Sequence, residues 1–282
     1  MVPNKRLSNR VEMPVFGLGT WKVVDRNKVS FLVHKAFEEG YRLFDTAAAY
    51  SNETAIGRVI DTMTGRRGEI FLSDKVWNTY RGYDKVKEAC KRSLKKLKTD
   101  YLDLYLIHWP ASVKLYNNWA EINADSWRGM ESLYQEGLVR AIGVCNYKVH
   151  HLEELKKTAQ ILPMVNQFEF HPGLKQDELV TYCRNNEIAV EASSPLGNGE
   201  ILNNLILGEI AEKYKKSTAQ ICLRYALDKG LIVIPKTVNE ERLKENIDVF
   251  NFSLGKEEIE IIDAMSYCGG IGIDSDEVTE FG

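Results

Sequence analysis

The sequence predicts an α/β fold, a (β/α)8 TIM barrel with an N-terminal β-hairpin, with residues 1–282 forming one domain. Three observations lead there. Eight short apolar runs recur along the chain, segments of helical periodicity separate them, and no linker or composition shift divides the sequence. The 282 residues suit one such barrel. Continuous apolar strands joined by helical crossovers imply a parallel sheet covered on both faces, and eight such units close on themselves.

Residues 5–8, a turn at Asn9-Arg10 and residues 11–13 read as the opening hairpin. Strands are expected near residues 15–18, 41–44, 70–72, 102–107, 139–144, 164–168, 188–190 and 231–234. Helices are expected over 29–39, 54–63, 84–97, 126–136, 151–158, 176–184, 205–229 (two, broken near Ser217), 240–250 and 256–265. Gly40, Gly137 and Gly230 each end a helical stretch directly before a strand. A doubly wound sheet is the rival. It fails because Gly17-Leu18-Gly19-Thr20-Trp21-Lys22 lacks a third glycine and leads into no immediate helix.

Composition narrows the partners. The 37 basic and 40 acidic residues leave a net charge of −3, so nothing draws the chain strongly to nucleic acid or anionic membrane. The run KRSLKKLK at 91–98 places Leu94 and Leu97 at helical spacing and reads as one solvated helix face. Five cysteines, with no CxxC pair, fit neither a disulfide framework nor a zinc knuckle and suit a reducing compartment. The start, MVPNKRLSNR, has no signal-peptide core, and no apolar run approaches the ~20 residues that cross a bilayer. A cytoplasmic monomer acting on a small molecule, without membrane or nucleic-acid partners, is expected.

In a barrel the chemistry sits where strands end. Asp45 ends the second strand with Tyr50 close behind, Lys75 ends the third and His108 the fourth. This set suits reduction of a carbonyl, whose oxygen gains alkoxide charge as hydride reaches carbon. Tyr50 can give the proton, Lys75 is expected to lower its pKa, Asp45 to hold Lys75, and His108 to orient the oxygen. Trp21, Trp77 and Trp109 follow the first, third and fourth strands and would wall a pocket for a small carbonyl compound. After the last strand come Lys236, Thr237 and Val238, then Asn239 as N-cap of a helix carrying Arg242, Glu245 and Asn246. That is a phosphate-binding arrangement.

Residues 40–57 (GYRLFDTAAAYSNETAIG), 140–147 (RAIGVCNY) and 234–246 (IPKTVNEERLKEN) resemble motifs of the aldo-keto reductases, those with a short C-terminal tail, and the likeness runs from about residue 5 to 265. The resemblance implies an NADPH-dependent aldehyde or ketone reductase with Asp45, Tyr50, Lys75 and His108 as its catalytic tetrad. It further implies that Gly19, Thr20 and Trp21 border the cofactor, and that Cys145, Asn146 and Gln167 hold the nicotinamide carboxamide. Residues Ser194, Pro195 and Leu196 would fold over the pyrophosphate. Lys236, Thr237, Val238, Arg242, Glu245 and Asn246 would grip the adenosine 2′-phosphate and adenine. Two positions depart. Cys145 stands where serine is usual, and Ser193 stands where a large aromatic would stack on the nicotinamide, a loss of about 1 kcal/mol.

Other readings fit less of the chain. No metal site is expected: no HExxH occurs, and His150 and His151 should point to different sides of a helix start. A glycosidase pairing Asp45 with Glu169 or Glu191 leaves Tyr50 and Lys75 unused. A dinucleotide-binding sensor would not need the full tetrad. The loop 111–125, with Trp119, and the tail 266–282 are expected to shape the pocket, the short tail leaving an open site.

Overall fold

The computed structural model describes residues 2–63 and 65–278. Strands β1 (Asn4–Arg6) and β2 (Glu12–Pro14) pair antiparallel with Lys5 opposite Met13, forming the expected hairpin. The main sheet follows: β3 (Gly17–Gly19), β4 (Leu43–Asp45), β5 (Phe71–Val76), β6 (Leu104–Ile107), β7 (Ile142–Cys145), β8 (Val165–Glu169), β9 (Ala189–Ser193) and β10 (Ile232–Val233). Each strand pairs in parallel with the next, in chain order. The two edges then meet. Val233 N donates to Val15 O at 3.0 Å, Gly19 N donates to Pro235 O at 3.1 Å, and Phe16 bridges Val233 in parallel. A sheet whose edges bond to each other is a barrel.

Around it run α1 (Arg26–Glu38), α2 (Glu53–Thr62), α3 (Tyr83–Leu97), α4 (Trp119–Gln135), α5 (Val149–Lys156), α6 (Asp177–Asn185), α7 (Leu205–Tyr214), α8 (Thr218–Asp228), α9 (Glu240–Ile247) and α10 (Lys256–Asp263). In α3, Val86, Ala89, Cys90, Leu94 and Leu97 are buried while Lys91, Arg92, Lys95 and Lys96 are exposed, so the basic run is a solvated face. Truncating Leu97 to alanine at such a site costs about 2–5 kcal/mol. The break before α8 has a local cause. Ser217 Oγ accepts from Gln220 N at 3.2 Å while Gln220 Oε1 accepts from Ser217 N at 3.0 Å, a reciprocal cap that starts a new helix. Gly40 takes φ of +98°, which ends α1 and turns the chain into β4.

Among the differences from the expected elements, three bear on the site. Helix α4 begins at Trp119 rather than 126 because Asn123, polar but buried, faces inward, its Oδ1 accepting from Ala111 N at 2.7 Å. A polar residue on the inner face hides the apolar period. Trp119 is therefore on a helix, not in a loop, and its ring meets those of His150 and His151. Strand β10 stops at Val233, two residues before Pro235, which has no N–H to give. A 3-10 segment over Gly197–Asn203 follows β9, with Asn198 and Gly199 at positive φ.

Candidate active site

The barrel turns its strand ends into one rim. Asp45 is the last residue of β4 and Lys75 the penultimate residue of β5, so neighbouring strands place both side chains in the barrel mouth. Lys75 Nζ donates to Asp45 Oδ1 at 2.7 Å and Oδ2 at 2.6 Å, and to Thr46 O at 3.0 Å. Lys75 is wholly buried. Burial is the largest single influence and pulls its pKa down, but Asp45, Tyr50 and Cys145 together outweigh burial and hold it above the usual value, so the ammonium persists. The same Nζ lies 5.1 Å from the centroid of the Tyr50 ring, whose hydroxyl also interacts with it.

Tyr50 stands on a 3-10 turn, Ala48–Tyr50, with its ring 5.7 Å from that of His108. Its pKa is raised, not lowered. Burial of the hydroxyl, though the ring is partly exposed to the cavity, outweighs the pull of Lys75. The expectation of a net lowering is corrected accordingly: the ammonium offsets part of the desolvation and no more. His108, next to β6, is held well below the usual histidine range by burial and then by Lys75, so its imidazole is neutral. Trp77 closes on it, ring centroids 5.1 Å apart.

A second group sits beside the first. Cys145 ends β7, and Gln167 faces it across the β7–β8 pairing. Asn146 donates to His108 O at 3.0 Å and to Cys145 Sγ at 3.2 Å, while the Cys145 thiol meets Gln167 Oε1 at 3.6 Å. Gln167 Nε2 donates to Asp45 Oδ1 at 3.1 Å, tying this amide-rich group to the tetrad. Such donors and acceptors suit a carboxamide. At the far side of the rim, Asn239 Oδ1 caps α9 by accepting from Arg242 N at 3.2 Å, and Lys236 and Arg242 are exposed beside that helix start. Thr237 is buried and its Oγ1 accepts from Asn239 N at 3.1 Å.

One cavity of about 1300 Å³ joins these groups. Trp21, Tyr50, Trp77, His108 and Trp109 line it at one end, Lys236, Val238, Arg242, Glu245 and Asn246 at the other, with Ser193, Ser194, Pro195 and Leu196 between. Two expected site residues stay out of the lining. Lys75 lies beneath Tyr50, and Thr20 gives its hydroxyl to Asp45 O at 2.9 Å. Sequence reasoning missed what holds the loops. Buried Asn52 donates to Thr20 O at 3.0 Å and Val23 O at 3.2 Å, fixing the turn that carries Trp21. No pattern marks that role.

The tail also contributes, against the open mouth expected for it. Ile271 N and Gly272 N each donate to the Glu169 carboxylate at 2.7 Å, and Gly270 N donates to Glu200 Oε2 at 3.2 Å. Residues 271–275 thereby line the cavity as a strap; tail residues 279–282 lie outside the described residues. Farther along, Asp276 accepts from Lys148 Nζ at 2.8 Å and shares a hydrogen bond with His150 Nε2 at 3.0 Å, while His151 Nε2 lies 3.3 Å away. Those two rings lie 4.0 Å apart on the same side, which corrects the expectation that they diverge. The grouping suits a metal ion poorly. Lys148 already puts a cation there, and His151 Nδ1 accepts from Lys148 N at 3.2 Å, leaving the ring proton on Nε2.

A model of the Aldo/keto reductase family matches residues 15–266. The chain belongs to the aldo/keto reductase family. It is 48% identical to the glyoxal reductase of Bacillus subtilis over 273 residues, covering 97% of this chain and 96% of that one. It is 40% identical to a methylglyoxal reductase of Salmonella typhimurium over 274 residues, covering 96% of each chain. Among solved structures, an aldo-keto reductase of Bombyx mori in complex with NADP superposes at a TM-score of 0.86, with 36% identity over 93% of this chain and 92% of that one. A variant of Gox0644 in complex with NADPH superposes at 0.92, with 35% identity over 99% and 100%. This aldo/keto reductase is accordingly an NADP-dependent enzyme of carbonyl reduction. No helix among the described residues is long and apolar enough to cross a membrane.

Proposed function

We propose that this reductase acts on small aldehydes of the glyoxal and methylglyoxal class, with Tyr50 as general acid. The observation that carries the reading is the meeting of Tyr50, Asp45 and His108 in the lining of one cavity, with Lys75 buried against Asp45 and Tyr50. The residues present fit the cofactor. Lys236 and Arg242 at the capped start of α9 would take its 2′-phosphate, and Asn146, Gln167 and Cys145 its carboxamide. Only Ser193 falls short, offering no aromatic face. When bound, NADPH supplies the hydride.

The chain's own residues supply the rest. Because burial raises the Tyr50 pKa, the hydroxyl keeps its proton at neutral pH until a developing alkoxide, a far stronger base, takes it. Lys75, kept charged by Asp45, stabilises the phenolate that remains. Neutral His108 donates an N–H to the carbonyl oxygen and sets its direction without competing for the proton. The three tryptophans exclude water around the reacting carbon. The names of the two reductases above support the dicarbonyl assignment, as does a mouth narrowed by the tail strap. Steady-state assays with glyoxal, methylglyoxal and a bulky aryl ketone, each with NADPH and NADH, test this. Higher kcat/KM for methylglyoxal with NADPH is expected; a preference for the bulky ketone would remove the substrate assignment.

A further inference from the structure

One buried carboxyl stands beside the tetrad with no part in the steps above. Glu191, on β9, is fully buried and lies opposite Gln167 in the β8–β9 register. The Gln167 amide nitrogen has two hydrogens, and both are used: one on Asp45 Oδ1 at 3.1 Å, the other on Glu191 Oε2 at 2.6 Å. Among the described residues its oxygen meets only the weak Cys145 thiol donor at 3.6 Å, so Oε1 is the edge of the amide left for a ligand. We propose that Glu191 is a positioning residue for the nicotinamide: its carboxyl pins the Gln167 amide so that Oε1 faces the carboxamide N–H groups of the cofactor. This rests on the reading that Gln167 meets that carboxamide.

The cost of the arrangement supports a role beyond packing. Glu191 Oε1 is buried without a hydrogen-bond partner among the described residues, and an apolar side chain of similar size would fill the space more cheaply. The charged and titratable groups facing it are Asp45 from β4, Lys75 from β5 and Cys145 from β7. Burial, then the Asp45 charge, raises its pKa to about 8 against the pull of Gln167 and Lys75. At pH 7 it is mostly the neutral acid, a state that leaves the Asp45–Lys75 pair balanced. A neutral acid and an amide are near-isosteres here, so glutamine should replace Glu191 in its role while alanine should not.

The test is equilibrium titration of the full chain at pH 7 with NADPH and with 2′-phosphoadenosine diphosphate ribose, which lacks the nicotinamide. Glu191→Ala is expected to weaken NADPH about tenfold, one hydrogen bond's worth, while the ribose compound stays within about twofold. Glu191→Gln is expected to restore NADPH binding. An unchanged NADPH affinity in Glu191→Ala, an equal loss of both ligands, or a Glu191→Gln protein as weak as the alanine variant would each overturn the inference. Should the alanine variant not fold, the glutamine variant decides: NADPH affinity reduced while the ribose compound is unaffected counts against it, and wild-type affinity supports it. Wild-type protein that binds neither ligand would overturn the proposed function together with this inference.

Discussion

A phenol is a weak acid, and at Tyr50 the surroundings make it weaker still. In the proposed mechanism, the net rise in its pKa means that Lys75 matters after proton transfer, when the phenolate needs a counter-charge, more than before it. The shared rim of Asp45, Tyr50, Lys75 and His108 was legible in the sequence because these four ionisable residues follow consecutive strands. The sign of the Tyr50 shift was not, because desolvation depends on depth in the mouth. Ser193 was legible as a departure, and its effect can be measured. Ser193→Tyr is expected to tighten NADP(H) binding about fivefold, the equivalent of about 1 kcal/mol of aromatic stacking. An unaltered Kd on titration would show that the ring face is supplied elsewhere.

At the scale of elements, β5 shows how alternation serves two purposes. Lys75 points into the mouth, while its neighbour Asp74 faces Glu53 of α2 and Ser93 of α3. Both Asp74 oxygens are buried, and burial, then the Glu53 charge, raises its pKa from 3.8 to about 7 against the weaker pull of Ser93 and the Lys75 backbone N–H. The folded pKa lies above the unfolded one, so stability is full below about pH 4 and is lost as pH rises through about 7. Asp74→Asn should therefore stabilise the protein by roughly 1–3 kcal/mol at pH 8 and by little at pH 4. Denaturant melts at both values check this; equal effects would place the cost elsewhere. Strand and helix order was readable from period alone, whereas α4 began early because Asn123 breaks its apolar stripe from inside.

For the whole molecule, the site is finished by a segment distant in sequence from the tetrad. Glu169 and Glu200 collect three backbone N–H groups of the tail, and no periodicity or motif announces such contacts. Gly270, at φ +121°, is the tight point: an added Cβ would sit 2.5 Å from His171 Nε2 and 2.6 Å from Glu169 Oε1. Gly270→Ala is expected to unseat the strap and raise KM for small aldehydes several-fold, on the order of 1 kcal/mol of lost positioning, with NADPH Kd nearly unchanged. An unchanged KM would show that the strap does not border the substrate.

The central claim is that the Tyr50 hydroxyl donates the proton to the carbonyl oxygen. Its most direct test compares the rate of NADPH consumption with methylglyoxal by the wild-type protein and by Tyr50→Phe, with NADPH Kd measured for both. The phenylalanine variant is expected to lose at least about 10²–10⁴-fold in kcat while binding NADPH within about twofold of wild type. Turnover by that variant near the wild-type rate would contradict the account.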